Sequence, residues 1–528
     1  MASPWQEECL AARVQENESL ADLLAPAMAL RPDKVAIIFE DRKISYREMD
    51  EAGNRIANAL LELGIKSGER VAMHIDNRPE FIFGFLGIMR AGAVLVPTNV
   101  MYTAPEMKHI LGDSGARAVI VQDEFEEKIL GLDLPSLEFI IGLENPQNPN
   151  SNCLSDMMLM AGAGTPDIKR NPAEVAIIQY TSGTTGQPKG AMVSDDNIMA
   201  VLRNTTDMPG SLESLENDST LLTLPLFHAY ALDLGITRTF LSVQTMVLFS
   251  RFDAVKVFEA FEKPKITMFY GAPPMYFAFV NTPDCAKSDS SSLRGAFSGA
   301  APLPVVTMEQ FKELTGVQIS EGYGLSETAP TLSSNMAGPV NKPGSVGPPI
   351  REVEIKIVDE EGKEVAEGEV GEIKAKGPNI FLGYWNLPEE TAKALIEGWF
   401  FTGDMGRFDE DGYLYIVDRK KDMIVVSGFN VYPIELENVI LRHPKIIDCA
   451  VIGVPDEYQG ESVKACIVLA PGETIDYEEF EAYCREQMAA FKVPKMMTIR
   501  KELPKNATGK VLKRVIREEE GGITKATT

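Results

Sequence analysis

The sequence predicts an α/β protein. A large N-terminal domain of doubly wound α/β subdomains carries a small β-barrel-like subdomain, and a small α+β C-terminal domain follows. Three observations predict this. Over the first part of the chain, helical apolar periodicities alternate with short buried-strand runs, the pattern of a doubly wound core. Near residue 343 the pattern changes to short alternating strands separated by Gly/Pro turns. A second change follows Asp418-Arg419-Lys420-Lys421-Asp422, where a compact unit begins. The expected division is 1–418, with the β-rich part at about 343–418, then a connector at 419–422 and a last domain at 423–528.

The elements follow in order. Ser45 with Glu48 makes a capping box. Met49, Ala52, Ile56, Leu60 and Leu63 continue at helical spacing, and Gly64 ends the helix. Val71–Ile75 and Ala118–Val121 read as buried strands. Phe81–Arg90 reads as a buried helix that turns into a strand at Ala93–Pro97; Arg90 and Gly92 interrupt this apolar run, and it is too short to span a bilayer. Val175–Ile178 is a further buried strand. Beyond 343, Val353–Ile357, Gly371–Ala375 and Gly412–Ile416 alternate as strands. The last domain offers helices at Ile434–Arg442 and Tyr477–Ala490 and strands at Cys449–Gly453 and Val463–Leu469. The tail Gly521–Thr528 reads as disordered.

Composition narrows the function. A chain of 528 residues holds several folding units, and its 45% hydrophobic and 24% charged content is that of an ordinary globular protein. A net charge of -26 argues against nucleic acid as a partner and against anionic membrane surfaces. An anionic ligand would need a local basic patch. The six cysteines form no CxxC pair, which argues against a zinc or redox site and for free thiols in a reducing cytoplasm. Met1–Gln15 lacks the apolar core of a secretion signal.

The most informative stretch is Tyr180-Thr181-Ser182-Gly183-Thr184-Thr185-Gly186-Gln187-Pro188-Lys189-Gly190. It hangs from the end of the Val175–Ile178 strand. Backbone N–H groups, hydroxyls and one ammonium converging on a loop make a polyphosphate cradle. The spacing is not that of a Walker P-loop, because Pro188 precedes the lysine and Gly190 follows it.

Five further segments accompany this loop. Leu224-Pro225-Leu226-Phe227-His228-Ala229-Tyr230 sets a histidine among apolar residues. Ser320-Glu321-Gly322-Tyr323-Gly324-Leu325-Ser326-Glu327-Thr328 combines glycines, hydroxyls and carboxylates. Gly398-Trp399-Phe400-Phe401-Thr402-Gly403-Asp404 ends in an acid. The stretch 418–422 precedes Val426-Ser427-Gly428-Phe429-Asn430-Val431-Tyr432-Pro433. Leu503-Pro504-Lys505-Asn506-Ala507-Thr508-Gly509-Lys510 lies near the end.

In this order the six segments resemble the adenylate-forming superfamily of acyl-CoA synthetases, firefly luciferase and peptide-synthetase adenylation domains. The resemblance covers about Ser45 to Arg514. It is most similar to the bacterial medium- and long-chain fatty-acyl-CoA ligases, especially over Val417–Glu437 and Phe491–Lys495. It implies ATP-dependent activation of a carboxylic acid to acyl-AMP, and then thioester formation with coenzyme A. Thr181 to Gly186 and Lys189 would hold the β- and γ-phosphates. Glu327 would help place Mg²⁺. Ser326 stands where the family usually has threonine at the α-phosphate. Asp404 and Arg419 would meet the ribose hydroxyls, while Gly299, Ala300, Ala301, Glu321, Gly322, Tyr323 and Gly324 would line the adenine and acyl sites. Lys510 would be the catalytic lysine of adenylation. Lys421 would be the hinge about which a mobile C-terminal domain turns, and Gly428 would then line the pantetheine channel. His228 alone reads as a core histidine; its place in the acyl-pocket motif gives it a catalytic role.

The resemblance implies a cytoplasmic ligase for an apolar carboxylate, a fatty acid first. A homodimer is compatible with it. Tyr230, Leu232, Gly271–Met275 and Ala300 are expected pocket walls. An alicyclic or aromatic acid is the alternative, since Pro273, Pro274 and Met275 could close the pocket early. A fatty-acyl-AMP ligase serving a carrier protein is disfavoured by the lack of an appended carrier. A non-catalytic sensor is disfavoured because Lys510 and Glu327 are both kept. One departure from the family pattern is Ser194-Asp195-Asp196-Asn197, which is expected to set acids close to the phosphate loop.

Overall fold

The computed structural model describes residues 5, 8, 19–181, 187–206, 208, 215–456 and 458–521. The sequence-predicted capping box is formed: Ser45 Oγ accepts from Glu48 N, and Glu48 Oε2 accepts from Ser45 N at 2.7 Å. It opens the helix Tyr46–Glu62. Gly64 follows at φ 82°, a left-handed turn that glycine adopts without Cβ strain.

The helix Pro79–Arg90 is apolar on nearly every face because it lies buried against Tyr46–Glu62. Glycine sets the spacing. A Cβ on Gly87 would fall 2.4 Å from Ile56 Cγ2, and one on Gly53 would fall 2.9 Å from Leu86 Cβ. Arg90 is buried without being orphaned: Nη2 reaches Asp50 Oδ1 at 2.6 Å and Nη1 reaches Asn54 Oδ1 at 2.9 Å.

Two eight-stranded sheets make the body. One runs in the order Ser333–Ser334, Ile319–Tyr323, Gly295–Ser298, Met268–Gly271, Ser219–Leu222, Thr245–Leu248, Val35–Phe39, Arg42–Ser45. Its six central strands are parallel and only the two edges are antiparallel. The other runs Gly383–Tyr384, Lys189–Ser194, Val175–Thr181, Val94–Pro97, Arg70–His74, Ala118–Val121, Phe139–Gly142, Asn152–Cys153. One continuous apolar core joins them. Such sheets place ligands beyond the carboxyl ends of their strands.

The β-rich part is a five-stranded antiparallel sheet built from Glu354–Val358, Gly371–Lys376, Trp399–Phe408, Leu395–Ile396 and Leu414–Arg419. One strand departs from it. Gly383–Tyr384 leaves to pair with Lys189–Ser194 at the edge of the second large sheet, with Gly383 opposite Met192 and Tyr384 opposite Ala191. Beyond Arg419 a separate sheet of Phe429–Val431, Ile424–Val426, Gly460–Leu469, Ile446–Asp456 and Met496–Arg500 has its own apolar core. The helices Pro433–Ile440 and Tyr477–Gln487 pack there, both ending a little earlier than their periodicity predicts. Most of the tail, residues 522–528, lies outside the described residues.

Asp195 and Asp196 do not stand near the glycine loop, contrary to the sequence expectation. The hairpin pairs Thr181 with Lys189 at the loop end and Val175 with Ser194 at the other. Six residues of extended strand put the two ends roughly 20 Å apart. Asp195 is buried there, its Oδ2 bonded to Arg170 Nε at 2.8 Å and to Ser19 Oγ at 3.0 Å. Asp196 is exposed.

Candidate active site

A cavity of about 1600 Å³ opens between the body and the last domain, and most of the expected residues line it. Thr181 and Lys189 stand at the loop end of the hairpin. Ser182, Gly183, Thr184, Thr185 and Gly186 lie outside the described residues. Lys189 Nζ is 2.5 Å from Glu390 Oε2 and lies over the Tyr384 ring. Lys189, followed by Lys393, holds the Glu390 carboxyl down at about 2.

The strand Ile319–Tyr323 and the turn after it carry the central residues. Glu321 is buried, and Oε1 accepts from Leu303 N at 3.0 Å, which fixes the turn after Gly299-Ala300-Ala301. Burial pushes its carboxyl up to about 8. Ala300 has φ 72°, a left-handed conformation uncommon outside glycine. Gly322 and Gly324 are close-approach glycines: a Cβ on Gly324 would lie 1.8 Å from Pro330 O. Ser326 and Glu327 share a single 3₁₀ turn. Glu327 is buried, and Oε1 accepts from Tyr384 Oη at 3.0 Å. Burial raises its pKa, which the Tyr384 hydrogen bond only partly offsets.

Asp404 and Arg419 face each other on adjacent antiparallel strands. Arg419 Nε lies 3.3 Å from Asp404 Oδ1, and Tyr323 Oη donates to Asp404 Oδ2 at 2.7 Å. The Asp404 charge raises the Arg419 pKa. Lys421 also lines the cavity; burial, with Arg419 beside it, pushes its ammonium down.

Lys510 comes from the far end of the sequence on a turn built around Asn506. Asn506 Oδ1 accepts from Thr508 N at 3.1 Å and from Lys510 N at 2.8 Å. Gly509, at φ 79°, lets the turn press on the body: a Cβ there would be 2.3 Å from Pro274 Cγ. Burial, then the Arg419 charge, pushes Lys510 down to about 8. His228 lines the same cavity. Its Nδ1 accepts from Tyr230 N at 3.3 Å, leaving Nε2 to carry the proton of the neutral ring. Burial and the Lys510 charge push it down to about 4.

Some expectations are not met. Leu232 is fully buried away from the cavity, whereas Tyr230 and Leu234 line it. Gly271, Ala272 and Met275 stand behind the wall, which Pro273 and Pro274 form. Gly428, at φ 84°, is expected at the site only after the last domain turns, and it lies off the cavity in this arrangement. Asp233 is buried behind the wall, with both carboxylate oxygens accepting from Gln179 Nε2 at 2.8 and 2.7 Å. Trp385 is an anchor: its Nε1 donates to Asp113 O at 3.0 Å. Sequence reasoning missed Glu390, Tyr384 and Arg238. Asn506 was within reach, since an Asx turn before Thr-Gly-Lys is a local signal.

For a metal, no cluster of three or more His, Cys, Asp or Glu side chains occurs among the described residues. Glu327 nevertheless fits Mg²⁺, which takes one or two carboxylates and completes its shell with phosphate oxygens and water. The five described cysteines are unpaired, and no described helix is long and apolar enough to cross a membrane.

A doubly wound body whose nucleotide-type cavity receives a lysine from a separate C-terminal unit defines a carboxylate-activating enzyme of two parts. The chain belongs to the AMP-binding enzyme family, whose profile matches residues 24–385, with the AMP-binding enzyme C-terminal domain matching 435–510. It is 36% identical to a long-chain-fatty-acid–CoA ligase of Bacillus subtilis strain 168, over 96% of this chain and 95% of that one. It is similar to the crystal structure of the anthranilate CoA ligase AuaEII in complex with anthranoyl-AMP, with TM-score 0.89 and 31% identity, covering 95% of this chain and 97% of that one. It is also similar to ATP-bound MatB from Rhodopseudomonas palustris, with TM-score 0.88 and 34% identity, covering 96% and 100% of the two chains.

Proposed function

We propose that the protein is an AMP-forming carboxylate–CoA ligase acting on an acid with an apolar aliphatic body, of the medium- or long-chain fatty-acid class. The observation that carries this reading is the meeting of Lys510 with His228, Arg419 and Asp404 around one cavity. A carboxylate and a triphosphate repel each other, so their reaction needs cationic charge placed where the transition state is most anionic. Lys510 supplies a compact ammonium to the acyl carboxylate and the α-phosphate. Lys189 and Thr181 hold the outer phosphates. Asp404, oriented by Tyr323 and Arg419, accepts the ribose hydroxyls. The turn at Gly299–Ala301, fixed by Glu321 through Leu303, presents backbone to the adenine and the acyl carboxylate. Glu327 would hold Mg²⁺ together with phosphate oxygens, and the ion would neutralise charge on the triphosphate. His228, uncharged at neutral pH, closes the acyl side without adding a competing cation.

The acid's carboxylate oxygen attacks the α-phosphorus and pyrophosphate leaves. The coenzyme A thiol, losing its proton, then attacks the acyl carbonyl and AMP leaves. We place the domain division at 418, with 419–422 as the hinge and Lys421 its pivot, so that 423–528 turns between the two half-reactions. Gly428 enters the site only in the second arrangement. The unpaired cysteines support a cytoplasmic setting. An aliphatic acid is supported by the wall of Phe227, Tyr230, Leu234, Tyr270 and Phe277. Asp233 is turned to Gln179 and so is not presented to an α-ammonium.

The test is pyrophosphate release from ATP and each of acetate, hexanoate, decanoate, palmitate, benzoate and cyclohexane carboxylate, followed by product mass with coenzyme A. A kcat/KM maximum at an aliphatic acid longer than acetate is expected. A maximum at a ring acid, with decanoate and palmitate inert, overturns the substrate while leaving the chemistry standing.

A further inference from the structure

The helical stretch Tyr230–Ile236 continues directly into Thr237–Leu241. The first part is π-helical, and the stretch brings Tyr230, Leu234 and Arg238 to the cavity wall in turn. The first two suit an apolar chain, and Arg238 does not. Its Nη1 donates to Thr205 O at 2.9 Å. The body up to residue 418 sets two described lysine or arginine side chains on the cavity: Lys189 is paired with Glu390, and among the described residues no carboxylate lies within ion-pair range of Arg238. A guanidinium has five N–H donors, so most of its capacity is uncommitted. Its charge reaches the Tyr270 phenol on the facing wall, which burial raises and Arg238 partly lowers again. A cation on a largely aromatic wall is costly unless an anion meets it.

Position decides which anion. The Tyr230 ring lies against Gly299: a Cβ there would be 3.3 Å from the ring. That is the end where the reacting carboxylate sits. Eight residues of helix carry the wall roughly 10–12 Å further on, too far for Arg238 to share that carboxylate and about the span of a medium-length chain.

We propose that Arg238 is the counter-ion for a second carboxylate at the far end of the acid, so that the preferred substrates are medium-length α,ω-dicarboxylates activated at one end. This rests on the reading of the cavity as the acyl site of a ligase. The distal carboxylate forms no bond and enters and leaves ionised; an oxygen of the proximal one bonds to the α-phosphorus as pyrophosphate leaves, and the deprotonated thiol then takes the acyl carbon as AMP leaves. A planar guanidinium accepts such a group with two parallel hydrogen bonds. A methyl end would leave those donors unmet, which is the arrangement that discriminates most strongly between otherwise similar substrates.

The experiment measures kcat/KM for decanoate, 10-hydroxydecanoate, suberate and sebacate, with ATP and coenzyme A saturating. The proteins are the full-length chain, Arg238→Leu and Arg238→Lys. Wild type should favour sebacate or suberate over decanoate by about tenfold or more, with the hydroxy acid between. Arg238→Leu should reverse the order, and Arg238→Lys should keep it in weaker form. Decanoate equal to or better than both diacids in wild type overturns the proposal, and so does an unchanged diacid-to-decanoate ratio in Arg238→Leu. If Arg238→Leu does not fold, the wild-type order and Arg238→Lys decide alone. Absence of pyrophosphate release with every acid is a different failure, that of the ligase reading itself.

Discussion

Lys189 Nζ and Glu390 Oε2 meet at 2.5 Å, joining the strand that follows the glycine loop to the short helix Pro388–Ala394. The same ammonium is the one assigned to the outer phosphates, so Glu390 and the triphosphate are rivals for it. Glu390→Gln should lower the KM for ATP by about two- to fivefold, the worth of a part-exposed ion pair. The gain should shrink as salt is added. Lys189→Met should raise the KM. An unchanged KM in Glu390→Gln beside a raised one in Lys189→Met would show that Glu390 does not compete.

Lys510→Ala should cut acyl-adenylate formation by about 10²–10³-fold, the worth of one transition-state charge contact. Conversion of supplied acyl-AMP and coenzyme A to thioester should stay largely intact, because the proposed mechanism uses Lys510 in one arrangement only. Single-turnover assays of each half-reaction separate the two. Equal loss of both in a folded variant would falsify the assignment.

The alkaline limb of adenylation should report Lys510. Its ammonium is pushed down to about 8, and the charged form is the active one. As pH rises through 8 the charge is lost and kcat/KM for adenylation falls; below that value the limb is flat. An arginine stays charged throughout, so Lys510→Arg should move the limb upward, at a lower absolute rate. His228, held down at about 4, contributes no limb near neutrality.

Lys421→Pro should preserve adenylation and slow thioester formation. The strand Leu414–Arg419 ends two residues earlier and Ile424–Val426 begins three later. Proline fixes φ at the position where the proposed hinge would have to change it. Among the described residues the Lys421 N–H donates no hydrogen bond, so the substitution removes none. A wild-type thioesterification rate would place the hinge elsewhere.

Asp195→Ala should act on stability and not on nucleotide affinity. It leaves the Arg170 guanidinium buried without its carboxylate, a loss on the order of 3–5 kcal/mol. Urea unfolding should shift by that amount while the KM for ATP stays put. The opposite pattern would return Asp195 to the phosphate site.

Local signals were legible and long-range pairs were not. The Ser45–Glu48 box, the Gly64 stop and the buried helix ending at Arg90 all follow from spacing within a few residues. The partners of Arg90 do not, because Asp50 and Asn54 meet it only once two helices have packed. At the site, motif order located Glu327, Asp404, Arg419 and Lys510. Lys189 and Glu390 are paired across 201 positions, and no periodicity connects them. Asp195 was misjudged because nearness in sequence to the glycine loop is undone by an extended hairpin. Arg238 was within reach, since it follows Tyr230 and Leu234 along one helical stretch. Counting Leu232 as a wall residue put the wrong face of the helix on the cavity.

The pairing of Gly383–Tyr384 with Lys189–Ser194 has a consequence for synthesis. The strand that carries Lys189 gains its outer neighbour only when a segment on the order of 190 residues later has left the ribosome, roughly 10–40 s at ordinary translation rates. Until then the nascent body offers an open strand edge, the kind of surface on which chains join one another. Chaperone occupancy in that interval should be highest on chains stalled before Gly383 and should drop once Trp385 N can reach Gly190 O.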